Sequence, residues 1–151
     1  MANIDLKTLK KLRDATAASV ADCRRALDES MGDYAKALSW LKKRSAEIAE
    51  KKANRETSQG IIDAYIHQGG KVGVLLEILC ETDFVAKTDD FRHLAKEIGM
   101  QVAAMNPKDV DALLKQEYIR DGSQTIEQLV KGIVGKLGEN ITVKRFVRFE
   151  I

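Results

Sequence analysis

Apolar residues in the first 41 positions recur three and four residues apart, which is the spacing of amphipathic α-helices. Polar residues stand where two of these helices would begin. Ser19 precedes the second stripe, with Asp22 three residues later, and Asp33 precedes the third. The pattern therefore predicts three short helices. Their stripes are Leu6, Leu9 and Leu12; Val20, Cys23 and Leu27; and Tyr34, Ala37, Leu38 and Leu41.

The segment that follows is basic and poor in large apolar side chains. It contains Lys42-Lys43-Arg44 and Lys51-Lys52, and we interpret it as an extended helical tail or a linker. The change in composition marks the best candidate for a domain boundary. We expect a three-helix module over residues 1–45, a helical tail or linker over 46–59, and a second domain over 60–151.

From Gly60 onward the apolar period changes from that of a helix to that of strands. Ile61 to Ile66 predicts one strand, and Gly69-Gly70 is a hairpin turn signal. Val72 to Leu79 predicts the partner strand. Because this second strand is apolar on both faces, we expect it to be central in its sheet.

Three helices are predicted between these strands and the end of the chain. The first ends at Asn106-Pro107, a short one is expected around Val110 to Tyr118, and the last ends near Gly138. The stripes of the two longer helices are Phe91, Leu94, Ala95, Ile98, Val102 and Met105, and then Ile126, Leu129, Val130, Ile133, Val134 and Leu137.

Residues 141–151 alternate between apolar and polar and predict a final strand. We expect four apolar residues to share one face of that strand: Ile141, Val143, Val147 and Phe149. The predicted fold class is therefore α+β. An N-terminal three-helix module precedes a small antiparallel β-sheet core that is packed with helices on one side.

The composition is that of a soluble globular protein, with 151 residues, 44% hydrophobic and 32% charged. No apolar run approaches the roughly 18 residues that a membrane span needs. The first five residues lack the basic and apolar stretches of a secretory signal. Cys23 and Cys80 have neither metal nor disulfide spacing. We therefore expect a cytoplasmic protein without a membrane partner.

The net charge of +2 hides an uneven distribution. Residues 1–55 hold 13 Lys and Arg against 8 Asp and Glu, a balance of +5, and residues 56–151 hold 12 against 15, a balance of −3. A basic first part could meet an acidic protein or make weak contacts with nucleic acid. No basic run exceeds three residues and no aromatics are interleaved with it, so a solvated helical surface without direct nucleic-acid binding is favoured.

A catalytic set is hard to assemble from this sequence. A thiol nucleophile needs a base within hydrogen-bond reach, and Cys80 has only His67 and His93 as candidates elsewhere in the chain. Gly69-Gly70 lacks the context of a phosphate-binding loop. A buried structural cysteine and two surface histidines are the simpler interpretation, and no cofactor is indicated.

Four acids in the ten residues after Cys80 could be metal ligands or an acid–base pair: Glu81, Asp83, Asp89 and Asp90. Thr88 is a natural N-cap, and Asp89 and Asp90 would then complement the dipole of the helix that follows. This interpretation needs no metal. It does not explain Asp83 and Phe84, which lie further upstream.

Phe84 is a large aromatic in a polar connection just before the next helix. Such a residue is either folded back as a plug or held out for a partner. With no credible catalytic set, the sequence favours a binding protein in which Phe84 is a protruding anchor. A buried aromatic at the centre of an interface can contribute at least about 2 kcal/mol.

The segment Thr82 to Lys87 resembles the Thr-Asp-Phe-Val-Ala signature of the bacterial elongation factor Ts family. Further motifs, in the same order as in the family, extend the resemblance over nearly the whole chain. They are Leu12 to Thr16, Asp22 to Leu27, Gly32-Asp33, Ala37 to Leu41, Ala49 to Ala53 with Arg55 and Gly60, Leu113 to Gln116, and Gly138 to Ile141 with Arg145-Phe146.

The resemblance implies guanine-nucleotide exchange on elongation factor Tu, the GTPase that delivers aminoacyl-tRNA. It implies a UBA-like N-terminal module that docks on the GTPase, and a wedge that enters near the magnesium site of the GTPase without covalent chemistry. The implied wedge residues are Thr82, Asp83, Phe84, Val85 and Ala86. The implied contacts of the N-terminal module are Leu12, Val20, Ala21 and Arg24.

The chain departs from the family pattern in places. Thr16 to Ala21 reads Thr-Ala-Ala-Ser-Val-Ala where the family has Thr-Gly-Ala-Gly-Met-Met, and Leu79 stands where many members have Asn. Asn106-Pro107 runs almost directly into Leu113 to Gln116, which leaves room for one core copy and no coiled-coil insertion. The chain thus looks like the short class of the family.

Membership of the short class implies a homodimer with an isologous interface that binds two GTPases, a two-plus-two complex. The strands Val72–Leu79 and Ile141–Ile151 are the candidates to supply its surface. Two alternatives stay open. One is an adaptor whose module binds another protein while the core only dimerises, and the more distant one is a thiol enzyme that uses Cys80.

Overall fold

A computed structural model of the chain describes residues 4–16 and 18–151. The range leaves out residues 1–3, which belong to the N-terminal stretch without signal-like features, and Ala17, which belongs to the segment that departs from the family pattern. The elements in chain order are α1 (Leu6–Thr16), α2 (Val20–Glu29), α3 (Tyr34–Lys52), β1 (Gln59–Ile66), β2 (Val72–Cys80), α4 (Asp83–Ala86), α5 (Asp89–Met105), α6 (Val110–Lys115), β3 (Glu117–Tyr118), β4 (Asp121–Thr125), α7 (Ile126–Leu137) and β5 (Ile141–Glu150).

The second and third N-terminal helices begin where the polar caps predict. The Ser19 hydroxyl accepts from the Asp22 backbone N–H at 3.0 Å, and the Asp33 carboxylate accepts from the Lys36 N–H at 3.0 Å. Both bonds satisfy donors that a helix start leaves without partners. Leu6 and Val20 of the predicted stripes are exposed, but the other stripe residues pack into one small core, and the predicted UBA-like module is confirmed. Its buried side chains are Leu9, Leu12, Cys23, Ala26, Leu27, Ala37 and Leu41.

The third helix continues without interruption past residue 45 to Lys52. Its second half packs on α7, where the helices approach so closely that a Cβ on Gly135 would lie 2.7 Å from the Ser45 Cβ. Ala49 is buried in the core of the second part of the chain. The helix therefore joins both cores, and the division at residues 45 and 59 stays a prediction.

The main sheet has the antiparallel order β1-β2-β5, so β2 is central as predicted. Val74, Leu76 and Ile78 point from β2 toward the helices and are buried. Helices α5 and α7 supply the other side of this core, with Phe91 and Ile126 fully buried. Helices packed on one side of a small sheet confirm the predicted α+β class.

The predicted face of the last strand is wrong for its second half. Val143 pairs with Ile78 and Arg145 pairs with Glu77, so Lys144 is an extra residue in a β-bulge. A bulge shifts the alternation of side chains by one position. Before it, Ile141 and Val143 face the core as expected. After it, Val147 and Phe149 lie on the opposite face and are exposed.

The short helix predicted around Val110 to Tyr118 ends earlier, at Lys115. Glu117–Tyr118 instead forms a small strand with Asp121–Thr125. The fully buried Gln101 of α5 holds this hairpin, because its amide donates to Glu117 O at 3.0 Å and accepts from Ile119 N–H at 3.0 Å. A buried amide needs such partners, and these bonds replace those of another helical turn.

Candidate functional site

The connection between β2 and α5 contains a single helical turn, α4, of four residues. Thr82 is its N-cap, with its hydroxyl 3.4 Å from the Val85 backbone N–H, and Ala86 N–H donates to Thr82 O at 3.3 Å. Phe84 therefore lies within a capped turn and not in the irregular connection that the sequence suggests. We call residues 82–86 the wedge turn.

The wedge turn divides its side chains between core and solvent. Ala86 is 1% exposed and Val85 packs against the main core. Phe84 is 86% exposed, which makes it one of the most exposed large apolar residues described in the structure. Phe84 is thus held out and does not fold back as a plug. Exposing an aromatic ring in this way is unfavourable in water unless something covers it.

Asp83 also faces solvent, and a cation accompanies it. Lys87 Nζ lies 2.7 Å from Asp83 Oδ2, one turn further along the chain. Nowhere in residues 4–16 and 18–151 do three or more His, Cys, Asp or Glu side chains gather into a group that could hold a metal. The wedge turn therefore presents an aromatic ring and a carboxylate to solvent.

A carboxylate from the connection between α7 and β5 supports the wedge turn on its core side. Glu139 accepts from the Thr82 backbone N–H at 2.9 Å and from the Thr82 hydroxyl at 2.7 Å. Glu139 is visible in the sequence only as part of the Gly138 to Ile141 motif. Nothing local in the sequence connects it to a threonine 57 positions earlier.

Cys80 at the end of β2 is a poor nucleophile. Burial first, and then the nearby charge of Glu139, raise the pKa of the Cys80 thiol to about 11. Its polar contact is structural, since Sγ donates to Thr82 O at 3.1 Å. The two histidines contact other groups, with His67 Nδ1 3.1 Å from Tyr65 Oη and His93 Nε2 3.8 Å from a Glu97 oxygen. A thiol kept protonated does not support the thiol-enzyme alternative.

The start of α5 follows the helix-capping interpretation. The Thr88 hydroxyl accepts from the Phe91 backbone N–H at 3.2 Å, and both Asp89 and Asp90 lie in the first turn. Asp90 also pairs with Lys136 of α7 at 2.8 Å. These acids thus stabilise the helix start, as the sequence predicts, and Asp90 also connects α5 to α7.

The residues implied for the N-terminal contact fall into two groups. Val20 is 42% exposed at the start of α2, and Ala21 and Arg24 are exposed on the same helix. Leu12 is fully buried in the core of the module, so it can support the surface but cannot form it. The three α2 residues form a small surface that a partner can reach.

The side of the sheet that faces away from the helices exposes five apolar side chains. We call it the outer sheet face, and Leu75 lies at its centre on β2, 49% exposed beside a shallow depression of about 240 Å³. The Glu77 and Arg145 ion pair borders the depression. The exposed apolar residues of this face are Ile62, Ile66, Leu75, Val147 and Phe149.

Comparison of the sequence with known proteins places the chain among elongation factors. A sequence model described as Elongation factor TS matches residues 81–151, from just before the wedge turn to the end of the chain. Elongation factor Ts of Thermoanaerobacter sp. (strain X514) is 39% identical, over 97% of this chain and 94% of the relative. The chain belongs to the elongation factor Ts family.

Two further relatives agree in extent. Elongation factor Ts of Oleidesulfovibrio alaskensis is 39% identical over 100% of this chain and 99% of its own. The chloroplastic elongation factor Ts of Rhodomonas salina is 40% identical over 99% and 90%. Both alignments run over 196 positions, which exceeds the 151 residues here, so these relatives contain residues without a counterpart in this chain.

Among the described residues, no helix is long and apolar enough to cross a membrane.

Proposed function

We propose that this chain is a guanine-nucleotide exchange factor that binds elongation factor Tu with GDP and promotes GDP release. The observation that carries the proposal is Phe84, 86% exposed on a turn whose other side is anchored in the core. An aromatic on a turn that is already capped and anchored is suited to enter a partner, because the backbone that carries it loses little conformational entropy on binding. Membership of the elongation factor Ts family supplies the partner.

The proposed mechanism is thermodynamic coupling between two ligands of the GTPase. GDP is held through contacts to its phosphates and to Mg²⁺. If Phe84 and Asp83 bind only when the phosphate and magnesium sites are displaced, the factor must lower nucleotide affinity. Nucleotide must then lower the affinity of the factor by the same amount. The exchange breaks no covalent bond, so the proposed activity is not that of an enzyme, and we place it in the cytoplasm with its partner.

The exposed surface of α2 is proposed to dock the GTPase while the wedge turn acts. Val20, Ala21 and Arg24 would form this contact, and buried Leu12 would hold α1 beneath it. Two separate contacts allow the factor to stay bound while the wedge moves in and out. That arrangement fits a ternary state in which nucleotide and factor are both weakly held.

Release of a fluorescent GDP analogue, followed by stopped flow, tests the proposal. We expect Phe84→Ala to lose at least about tenfold in stimulated release, since a central aromatic contributes about 2 kcal/mol or more. Met105→Ala is the matched control, because Met105 is a half-exposed apolar residue at the far end of α5. Full activity of Phe84→Ala would exclude the wedge mechanism. No stimulation by the unaltered protein would favour the adaptor alternative.

We also propose that two copies of the chain associate through the outer sheet face, giving a two-plus-two complex with the GTPase. A monomer that exposes Leu75, Val147 and Phe149 together on one sheet has an apolar patch of the kind that marks an interface. A two-fold axis near Leu75 would make this patch meet itself. Sedimentation equilibrium tests the proposal, and a monomer at micromolar concentration would contradict it.

A further inference from the structure

We propose that Glu139 and Asn140 are positioning residues that fix the wedge turn and the end of α3 to one another. The functional meaning of this inference rests on the proposed nucleotide exchange. The two residues directly precede β5. They belong to the Gly138 to Ile141 motif, which has no role in the proposed action of Asp83 and Phe84. They lie beside Glu81 and Thr82, which directly follow β2.

The contacts between these two pairs of residues are reciprocal. Glu81 Oε1 accepts from the Asn140 backbone N–H at 2.8 Å, and Glu139 Oε1 accepts from the Thr82 backbone N–H at 2.9 Å. The regular ladder of β2 and β5 ends at the pair Cys80 and Ile141. Beyond it, each strand supplies a side-chain carboxylate where a ladder would supply a backbone carbonyl. Hydrogen bonds to a charged acceptor are about twice as strong as neutral ones.

We call the contacts among Glu81, Thr82, Glu139 and Asn140 the clasp, and its Glu139 half controls the wedge turn through Thr82. A turn of only four residues has little helical stability of its own, because the first turn of a helix costs more than it gains. Its geometry depends on the N-cap, and Glu139 holds both the N–H and the hydroxyl of Thr82. The direction of Phe84 therefore depends on a residue more than fifty positions later.

The Asn140 half reaches the end of the N-terminal helices. Asn140 is 9% exposed, and its side-chain amide donates to Arg55 O at 2.9 Å and to Ala53 O at 3.3 Å. Arg55 returns to the clasp through Glu81 Oε2 at 3.5 Å. The wedge turn and the helix that carries the docking module thus meet at two adjacent residues. Their relative placement is set there, which matters if both must contact one GTPase.

Glu139 has no Lys or Arg partner within the described residues, so its charge is balanced mainly by the two bonds to Thr82. A partly buried carboxylate is unfavourable without hydrogen bonds. Loss of either partner should therefore be felt by the other. This coupling distinguishes positioning from a general effect on stability, since unrelated sites contribute additively.

Amide hydrogen exchange of the free protein, read by mass spectrometry, tests the clasp without any GTPase. We expect Glu139→Ala to speed exchange in residues 82–88 about tenfold or more, as loss of charged hydrogen bonds implies. Residues 91–103 should keep the unaltered rate. In Glu139→Gln, the exchange rate of residues 82–88 should lie between those of the unaltered protein and Glu139→Ala, because an amide oxygen can still accept from Thr82 N–H. Glu127→Ala, a surface glutamate of α7, is the matched control.

Asn140→Ala supplies the opposite pattern. It removes the bonds to Ala53 O and Arg55 O but keeps the backbone N–H that donates to Glu81. Exchange should rise in residues 50–57 and stay unchanged in 82–88. The proposal would be overturned if exchange in residues 82–88 were unchanged in Glu139→Ala and exchange in residues 50–57 were unchanged in Asn140→Ala. If Glu139→Ala does not fold, Thr82→Val removes the hydroxyl that donates to Glu139 and caps Val85 N–H, and Thr82→Ser, which keeps both bonds, is its conservative control.

GDP release then connects the clasp to function. Docking through α2 leaves entry of the wedge as a second step, so Glu139→Ala should lower the maximal rate more than it raises the half-saturating concentration. Thr82→Val combined with Glu139→Ala should lose little more than either alone, and additive losses would contradict the coupling. If the unaltered protein does not stimulate release, the exchange function fails while the hydrogen-exchange result still decides the clasp.

Discussion

Lys87 Nζ lies 2.7 Å from Asp83 Oδ2, so the acid of the wedge turn already has a cation beside it in the free protein. Both side chains are largely exposed, and such pairs contribute about 0–1 kcal/mol to stability. We expect Lys87→Gln to leave the free energy of unfolding within about 1 kcal/mol of the unaltered value.

Asp83→Asn should separate the charge of the wedge turn from its shape. If the carboxylate acts on the magnesium site of the GTPase, the amide should lower stimulated GDP release about tenfold, the size expected for one charged contact. Lys87→Gln is the control, because it keeps Asp83 and should retain most of the release. Equal activity of Asp83→Asn and the unaltered protein would leave Phe84 alone as the active group.

The thiol of Cys80 should make stability depend on pH in the alkaline range. Burial, and then the charge of Glu139, raise the pKa of Cys80 from about 9.0 to about 11. Between these values the unfolded chain has lost the proton that the folded chain keeps, so stability falls as pH rises. Urea unfolding at pH 8 to 11 should show a shallower fall for Cys80→Ser, whose hydroxyl does not ionise.

Part of that slope should survive in Cys80→Ser. Burial also raises the pKa of Cys23 and the pKa of Tyr118, the latter with a further contribution from its hydrogen bond to Glu97. Both groups therefore act in the same direction as Cys80. Identical slopes for Cys80→Ser and the unaltered protein would show that the pKa of the Cys80 thiol in the folded state is the ordinary one.

Two glycines should respond to alanine with opposite signs. Gly60, the second residue of β1, has a φ of +153°, and an added Cβ would lie 2.1 Å from Ile78 O. Gly60→Ala should therefore lower the free energy of unfolding by more than about 2 kcal/mol. Gly132 lies inside α7 with open space around it, and Gly132→Ala should raise stability by up to about 1 kcal/mol. Urea denaturation measures both, and a tolerated Gly60→Ala would contradict this account.

Leu75→Lys should weaken the proposed dimer without unfolding the chain. In a monomer the lysine can reach water, since Leu75 is 49% exposed, but across a two-fold axis two lysines would be brought together. Sedimentation equilibrium should show a shift toward monomer. Ile119→Lys is the control, because Ile119 is 44% exposed in the β3–β4 hairpin, away from the sheet. Equal dimer affinity in both variants would place the interface elsewhere.

Features set by neighbouring residues could be predicted from the sequence. Ser19, Asp33 and Thr88 each cap a helix as expected, because a cap is decided within three residues. The central position of β2 also follows from its own apolar pattern. The early end of α6 could not be predicted, since it depends on the buried Gln101 of another helix.

The exposed residues of the candidate site could be predicted from the sequence, but the contacts that support them could not. The oddity of Asp83 and Phe84 is visible in the sequence, since neither is needed to start α5. The support from Glu139 is not visible, because it joins two residues that only the folded sheet brings together. The bulge at Lys144 likewise depends on how β5 pairs with β2, and no residue next to Lys144 in the sequence indicates that a bulge occurs there.

That bulge has a consequence for how the chain behaves at different concentrations. With regular pairing through Lys144, Val147 and Phe149 would face the helices, and Arg148, which now donates to Ala103 O at 3.0 Å, would face water. The extra residue instead gives the first half of β5 to the core and the second half to the outside. If a second copy covers that outside, the melting temperature must rise with protein concentration. One unpaired residue in a strand would then make the stability of each chain depend on how many others surround it.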